Sequence, residues 1–190
     1  MKSFDIIHGE HRALGAVLQA LQFVLGEIRA ARLAPDFGLL SAMVRYISEV
    51  PEKVHHPKED HYLFTMLRAR SQTAAKLIDE LEQQHATGSR MTAELSQALE
   101  RYRQQGQDAF ADFDALCARY LDFNRQHLKL EETQLLPLAR QALREDDWAE
   151  IDSAFAANFD PYADAAGEFH ALFARIVNLT PAPYGLGPPA

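Results

Sequence analysis
The sequence predicts an all-α fold: an up-down-up-down four-helix bundle with additional C-terminal helices. Three observations carry this expectation. Apolar residues recur at steps of three and four along most of the 190 residues, the period-two alternation of a half-buried strand is absent, and short connections join the four longest seams.

Helix one is expected over roughly residues 4–31, where His11, Leu14, Leu18, Leu21, Leu25 and Ile28 form a narrow apolar stripe. Pro35-Asp36 then interrupts the chain, and Asp36 is suited to cap a second helix carrying Leu40, Met43, Val44, Ile47 and Val50. Pro51 and Pro57 should kink or split this helix beside His55 before it resumes through Leu63, Met66 and Leu67 to about residue 69. Helix three spans about 72–104 on the seam Leu77, Leu81, His85, Gly88, Met91, Leu95, Leu99 and Tyr102, and Gly106 stops it. Helix four spans about 108–143 with Phe113, Leu116, Tyr120, Phe123, His127, Glu131, Leu135 and Leu138 inward, and Pro137 should bend its last turns. Shorter helices follow over about 147–158 and 161–178. The tail TPAPYGLGPPA is too rich in Pro and Gly to be helical, so it drapes over the surface or is disordered. Residues 1–145 are expected to form the bundle, 146–179 a helical extension packed on the same domain, and 180–190 the tail.

Composition narrows the partners. Net charge is −8, from 27 acidic and 19 basic residues without a long basic run, which disfavours nucleic acid and anionic membrane. The lone cysteine, Cys117, excludes an intrachain disulfide and suits a reducing compartment. The N-terminal residues lack the apolar core of a secretory signal, and no stretch approaches the roughly 18 apolar residues of a membrane span. A cytoplasmic protein with small or basic partners is expected.

The pattern that carries chemistry is a doubled spacing, His55-x-x-x-Glu59 and His127-x-x-x-Glu131, with His11 and His85 on the two remaining seams. Residues four apart share a helix face, so each pair aims an imidazole and a carboxylate at one place. Unpaired, four imidazoles and two carboxylates in an apolar bundle would cost several kcal/mol of desolvation. Two divalent cations reverse the sign, with each carboxylate free to bridge them, an oxide or hydroxide as a further bridge, and a position open for a small ligand. Nitrogen and carboxylate donors suit iron, and manganese, zinc or cobalt would also bind.

The stretches HGEHRAL, VHHPKEDHYLF, LEQQHATG and HLKLEETQLLPLA, in this order over residues 8–138, resemble the successive signatures of the hemerythrin-like HHE cation-binding family. The resemblance implies a four-helix bundle around a non-haem centre of two iron ions. By motif match its ligands would be His11, His55, Glu59, His85, His127 and Glu131, the glutamates bridging. Oxygen-carrying hemerythrins place a second histidine one turn before the one on helix three, and Leu81 stands there. Some members take a ligand from the residue after the helix-two histidine, which makes His56 a further candidate. The ligand set is similar to that of bacterial di-iron proteins that repair iron centres after nitrosative stress, although the cysteine-bearing N-terminal segment usual in those is not expected here.

Two functional classes follow. One is a binding or sensing protein for a diatomic ligand, oxygen or nitric oxide, or for iron itself. The other is a di-iron enzyme or iron donor in nitrosative or oxidative stress defence and iron–sulfur centre repair. A redox partner protein is compatible with either. Around the site, Glu82, Asp60 and Glu132 are expected to hydrogen-bond ligand imidazoles or form ion pairs. His8 and His61 are expected to be exposed, His170 has no assigned role, Tyr62 and Tyr120 are expected to pack, and Cys117 to be a buried apolar residue.

Overall fold
The computed structural model describes residues 1–157 and 163–188, and among these the fold is all-α. Helix α1 (Lys2–Arg29) is followed by α2 (Phe37–Val50), by short helices α3 (His56–Lys58) and α4 (Thr65–Arg70), and by the long α5 (Ala75–Gln105). Then come α6 (Phe110–Leu130), α7 (Leu136–Ala142), α8 (Glu145–Ala157) and α9 (Ala163–Leu179). Helix α1 packs against α2 and α6, and α5 packs against the same two, so four rods surround one interior. Helix α8 lies on α1, and α9 lies mainly on α2. No helix among the described residues is long and apolar enough to cross a membrane.

Local chemistry sets the ends. Asp36 caps α2 as expected, its carboxylate accepting from Gly38 N at 2.8 Å and Leu39 N at 3.0 Å. Gly106, at φ 66°, terminates α5 in a conformation that few other residues adopt. Helix α5 starts three residues later than expected because a single 3-10 turn, Gln72–Ala74, precedes it.

The prolines leave both rods helically continuous rather than split. Pro51–His55, Glu59–Phe64 and Glu131–Leu135 are π-helical turns, in which His56 N donates to Pro51 O and Leu136 N to Glu131 O, five residues back. Pro57 and Pro137 each sit two residues past such a turn. The carbonyls that a proline four residues on leaves without a donor, those of Lys53 and Thr133, therefore fall inside the wide turns. Helix two thus continues past Pro51 and Pro57 as an altered winding, and helix four does so through Pro137.

Two apolar clusters divide the interior. One joins Leu14–Ile28 of α1, α2, the C-terminal half of α5, the first half of α6 and α9. The other joins Ile7, Leu63–Leu67, Ile78, Leu81, Leu135–Ala139 and α8. On every rod the buried histidines and glutamates fall in sequence between the two clusters. The tail, through residue 188, folds back on α9: Leu186 N donates to Val177 O and Gly187 N to Thr180 O, both at 2.8 Å. A Cβ at Gly187 would stand 2.5 Å from Leu179 O, so only glycine permits that approach. The expected start of the last helix at 161 and the end of the one before it at 158 lie outside the described residues.

Replacing Asp36 with Ala should lower stability by about 1 kcal/mol. A fall in the urea midpoint at unchanged slope is the expected reading.

Candidate metal centre
The structure brings all six of the sequence-predicted side chains into one pocket, with His56 as a seventh. His11, His55, Glu59 and Glu131 each offer an atom within 4.8 Å of the others, and His56, His85 and His127 form a second such group. The glutamates lie between the groups and are fully buried, 0% exposed. Glu131 Oε2 stands 3.2 Å from His11 Nε2, while its Oε1 stands 3.3 Å from His127 Nε2 and 3.6 Å from His85 Nε2. Glu59 Oε2 likewise faces His55 Nε2 at 3.3 Å and His85 Nε2 at 3.7 Å. His56 stacks on His85, with ring centroids 3.7 Å apart. The imidazoles therefore divide three and two, with His56 available where Leu81 offers no donor. Leu81 is fully buried in the apolar cluster.

The outer nitrogens are held in a ring that runs from rod to rod. Glu10 of α1 accepts from His55 Nδ1 at 2.8 Å, and Asp60, on the second rod, accepts from His85 Nδ1 at 2.9 Å. Gln84 of α5 accepts from His127 Nδ1 at 3.0 Å, and Glu132, on the fourth rod, accepts from His11 Nδ1 at 2.7 Å. A carboxylate or amide oxygen is an acceptor, so each Nδ1 carries a proton, and each Nε2, once deprotonated, can present a lone pair inward. His11 Nε2 and His55 Nε2 stand 3.0 Å apart, so in the metal-free pocket a proton on His11 Nε2 is donated to His55 Nε2, and its loss leaves two lone pairs aimed at one point. Histidines that bind metals are oriented by such outer partners.

Expectations for the surroundings divide. Asp60, Glu132 and Glu82 take anticipated roles, the first two as acceptors from imidazoles and Glu82 in an ion pair with Arg68. His8 is more engaged than expected, since its Nε2 lies 2.9 Å from Glu132 and extends the contact to His11. His61 is exposed, its Nδ1 bonded to Pro57 O, and Tyr62 is exposed too, where packing was expected. The Tyr120 hydroxyl donates to Ile47 O, and the buried Cys117 thiol has its pKa pushed up by burial. Glu10, Gln84 and Lys58 were not singled out in the sequence. Glu10 and Gln84 each immediately precede a pocket histidine, and Asp60 and Glu132 each immediately follow a pocket glutamate. A neighbour is turned about 100° around a helix, toward the adjacent rod.

Donor chemistry and charge both fit cations. Both carboxylate oxygens of Glu59 and of Glu131, Nε2 of His85 and of His127, and Nδ1 of His56 are buried without a hydrogen bond. Buried polar groups are ordinarily paired, and leaving one unpaired costs about 1–3 kcal/mol. Without cations the pocket must hold protons instead. Burial alone would lower the pKa of His11, but Glu131 and Glu132 raise it to about 10; for His85, Asp60 and Glu131 overcome burial and raise it to about 10. Burial lowers His55 and His127 to about 4. Burial and the charge of Glu131 raise Glu59, while the neighbouring imidazoles hold Glu131 down against burial. Cations bound in the pocket would replace these protons.

Beside His56 and His127 lies a small cavity of about 10 Å³, lined also by Gln84, Gly88, Tyr120 and Phe123. A Cβ on Gly88 would stand 3.3 Å from the Phe123 ring, so glycine lets that ring close the space.

Two predictions follow from this geometry. Because His11 and His85 are raised to about 10 in the metal-free protein, cation binding near neutral pH must expel protons. Apparent affinity for a divalent cation should therefore rise from pH 6 to pH 8, with net proton release in an unbuffered titration. Glu132→Leu leaves His11 Nδ1 without its acceptor, and metal affinity measured by chelator competition should fall by roughly ten- to a hundredfold.

The sequence profile of the family described as Hemerythrin HHE cation binding domain matches residues 2–139, the span that contains all seven of these residues. No curated protein and no solved structure gives a significant match. The chain belongs to the hemerythrin HHE cation-binding domain family.

Proposed function
We propose that this chain holds a pair of iron ions between its two groups of imidazoles and binds or senses a small diatomic ligand, oxygen or nitric oxide. The observation that carries the reading is the convergence of imidazole Nε2 lone pairs on two buried carboxylates that have no hydrogen bond of their own. His11 and His55 would hold one ion, and His85, His127 and His56 the other, with Glu59 and Glu131 shared. Nitrogen and oxygen donors in this proportion favour iron among the cations the pocket accepts. Iron held in such a set supplies reversible electron transfer and an open coordination position.

The chain's own side chains restrict what reaches that position. The cavity beside His56 and His127 has room for about one water-sized group, which suits a diatomic and excludes an extended organic substrate. Phe123 and Tyr120 wall it, the Tyr120 hydroxyl is turned away to Ile47 O, and the Thr92 hydroxyl and Asn124 amide that also line it donate to Ser89 O and Tyr120 O.

Protein purified without added metal should contain about two iron ions per chain. His55→Ala should lower both iron content and melting temperature, because metal binding is linked to folding. Exposure of the reduced protein to oxygen then separates the classes. A long-lived, reversible absorption change supports binding or sensing, whereas rapid irreversible oxidation supports turnover. Unchanged iron content in His55→Ala would refute the site.

A further inference from the structure
A second cavity, about 430 Å³, lies on the outer side of the Glu10–His55 contact, between α1, α2, the turn at 51–55, α8 and α9. Its walls are apolar and rich in aromatic rings, among them Val50, Val54, Phe155, Phe169 and Phe173. Five polar side chains interrupt them: Asp5 and His170 are exposed, Glu10 is half-buried, and Tyr46 and Lys58 are buried. Tyr46 is 6% exposed, and its hydroxyl makes no hydrogen bond to any described residue. Lys58 is 2% exposed and gives one N–H to Glu10 Oε1 at 2.5 Å, while its ammonium stands 4.9 Å from the centroid of the Phe155 ring. An ammonium has three donors, and only one of these has an acceptor among the described residues.

Small-molecule sites are apolar chambers of this size with a few placed polar groups. Charge then selects the class of ligand. Glu10 already neutralises Lys58, and Asp5 is exposed at the mouth, so the lining is net negative and disfavours an anion. Two unused donors among aromatic walls call for a neutral acceptor on an aromatic body.

We propose that this cavity binds a neutral aromatic molecule whose carbonyl oxygen accepts hydrogen bonds from Tyr46 and Lys58. The site is independent of what the imidazole cluster holds, although Glu10 is common to both, with Oε1 on Lys58 and Oε2 on His55.

The test is calorimetric titration of the full chain, as purified, with three matched probes: 1-acetylnaphthalene, naphthalene and 1-naphthoate. The ketone should bind saturably at one site, naphthalene roughly tenfold more weakly, and the carboxylate most weakly of all. Tyr46→Phe should weaken the ketone by roughly five- to tenfold and leave naphthalene unchanged. Ala13→Phe and Val54→Phe fill the chamber from different walls, and each should abolish binding of all three. Thermal melts identify a filling variant that does not fold, in which case the other, together with Tyr46→Phe, decides. The proposal is overturned if the ketone shows no saturable binding, if 1-naphthoate binds as tightly as the ketone, or if Tyr46→Phe and the folded filling variants leave ketone affinity unchanged.

Discussion
Each of four pocket imidazoles is fixed by a side chain from a different rod, and the fixing depends on a proton at Nδ1. Glu10, Asp60, Gln84 and Glu132 form a closed sequence in which every rod orients the histidine of the next and has its own oriented by the one before. The inward lone pairs follow from that sequence. So does the alignment of the rods, because a hydrogen bond at 2.7–3.0 Å tolerates little sliding of one helix along another. One member differs: Gln84 is an amide where the other three are carboxylates, so His127 is held by the weakest acceptor and is the least electron-rich of the four.

Burial makes this arrangement costly in isolation and favourable as a whole. Two glutamates with no exposed surface, set among imidazoles, cannot both remain ionised unless positive charge sits between them. Protons can supply that charge, as the opposed shifts of Glu59 and Glu131 show, but they leave lone pairs unused. Cations satisfy the charge and the lone pairs together. The apolar clusters on both sides keep water from screening either.

Much of this was legible in the residues. Three- and four-residue periodicity revealed the helices, and the two His-x-x-x-Glu spacings, with His11 and His85 on their seams, pointed to one pocket because i and i+4 share a face whatever the neighbouring rod does. The partners on Nδ1 were harder to see, since a contact between rods depends on the angle between helices, which no single seam encodes. Asp60 and Glu132 were found as acidic neighbours of the pocket residues. Glu82 looked equivalent but is turned to Arg68, and Glu10 was overlooked although it adjoins His11. The prolines at 51, 57 and 137 announced a disturbance, but whether it becomes a kink or a wider winding is decided by packing on both sides. The return of the tail onto α9 rests on a close backbone approach at Gly187 that composition alone does not disclose.

The wide turns at 51–55, 59–64 and 131–135 carry a consequence for how the family's chains can diverge. A π-helical turn amounts to one residue more than an α-helix would use over the same rise. Deleting a single residue there would restore α-helical winding and leave the helix beyond it in nearly the same phase, because the wide turn holds the extra residue locally. A length change of that kind would thus act only on the turn's own residues, which include His55, Glu59 and Glu131. Indels in the α-helical stretches of these two rods shift the phase of all that follows by about 100°, whereas the wide turns are the places where one residue can be gained or lost without that shift.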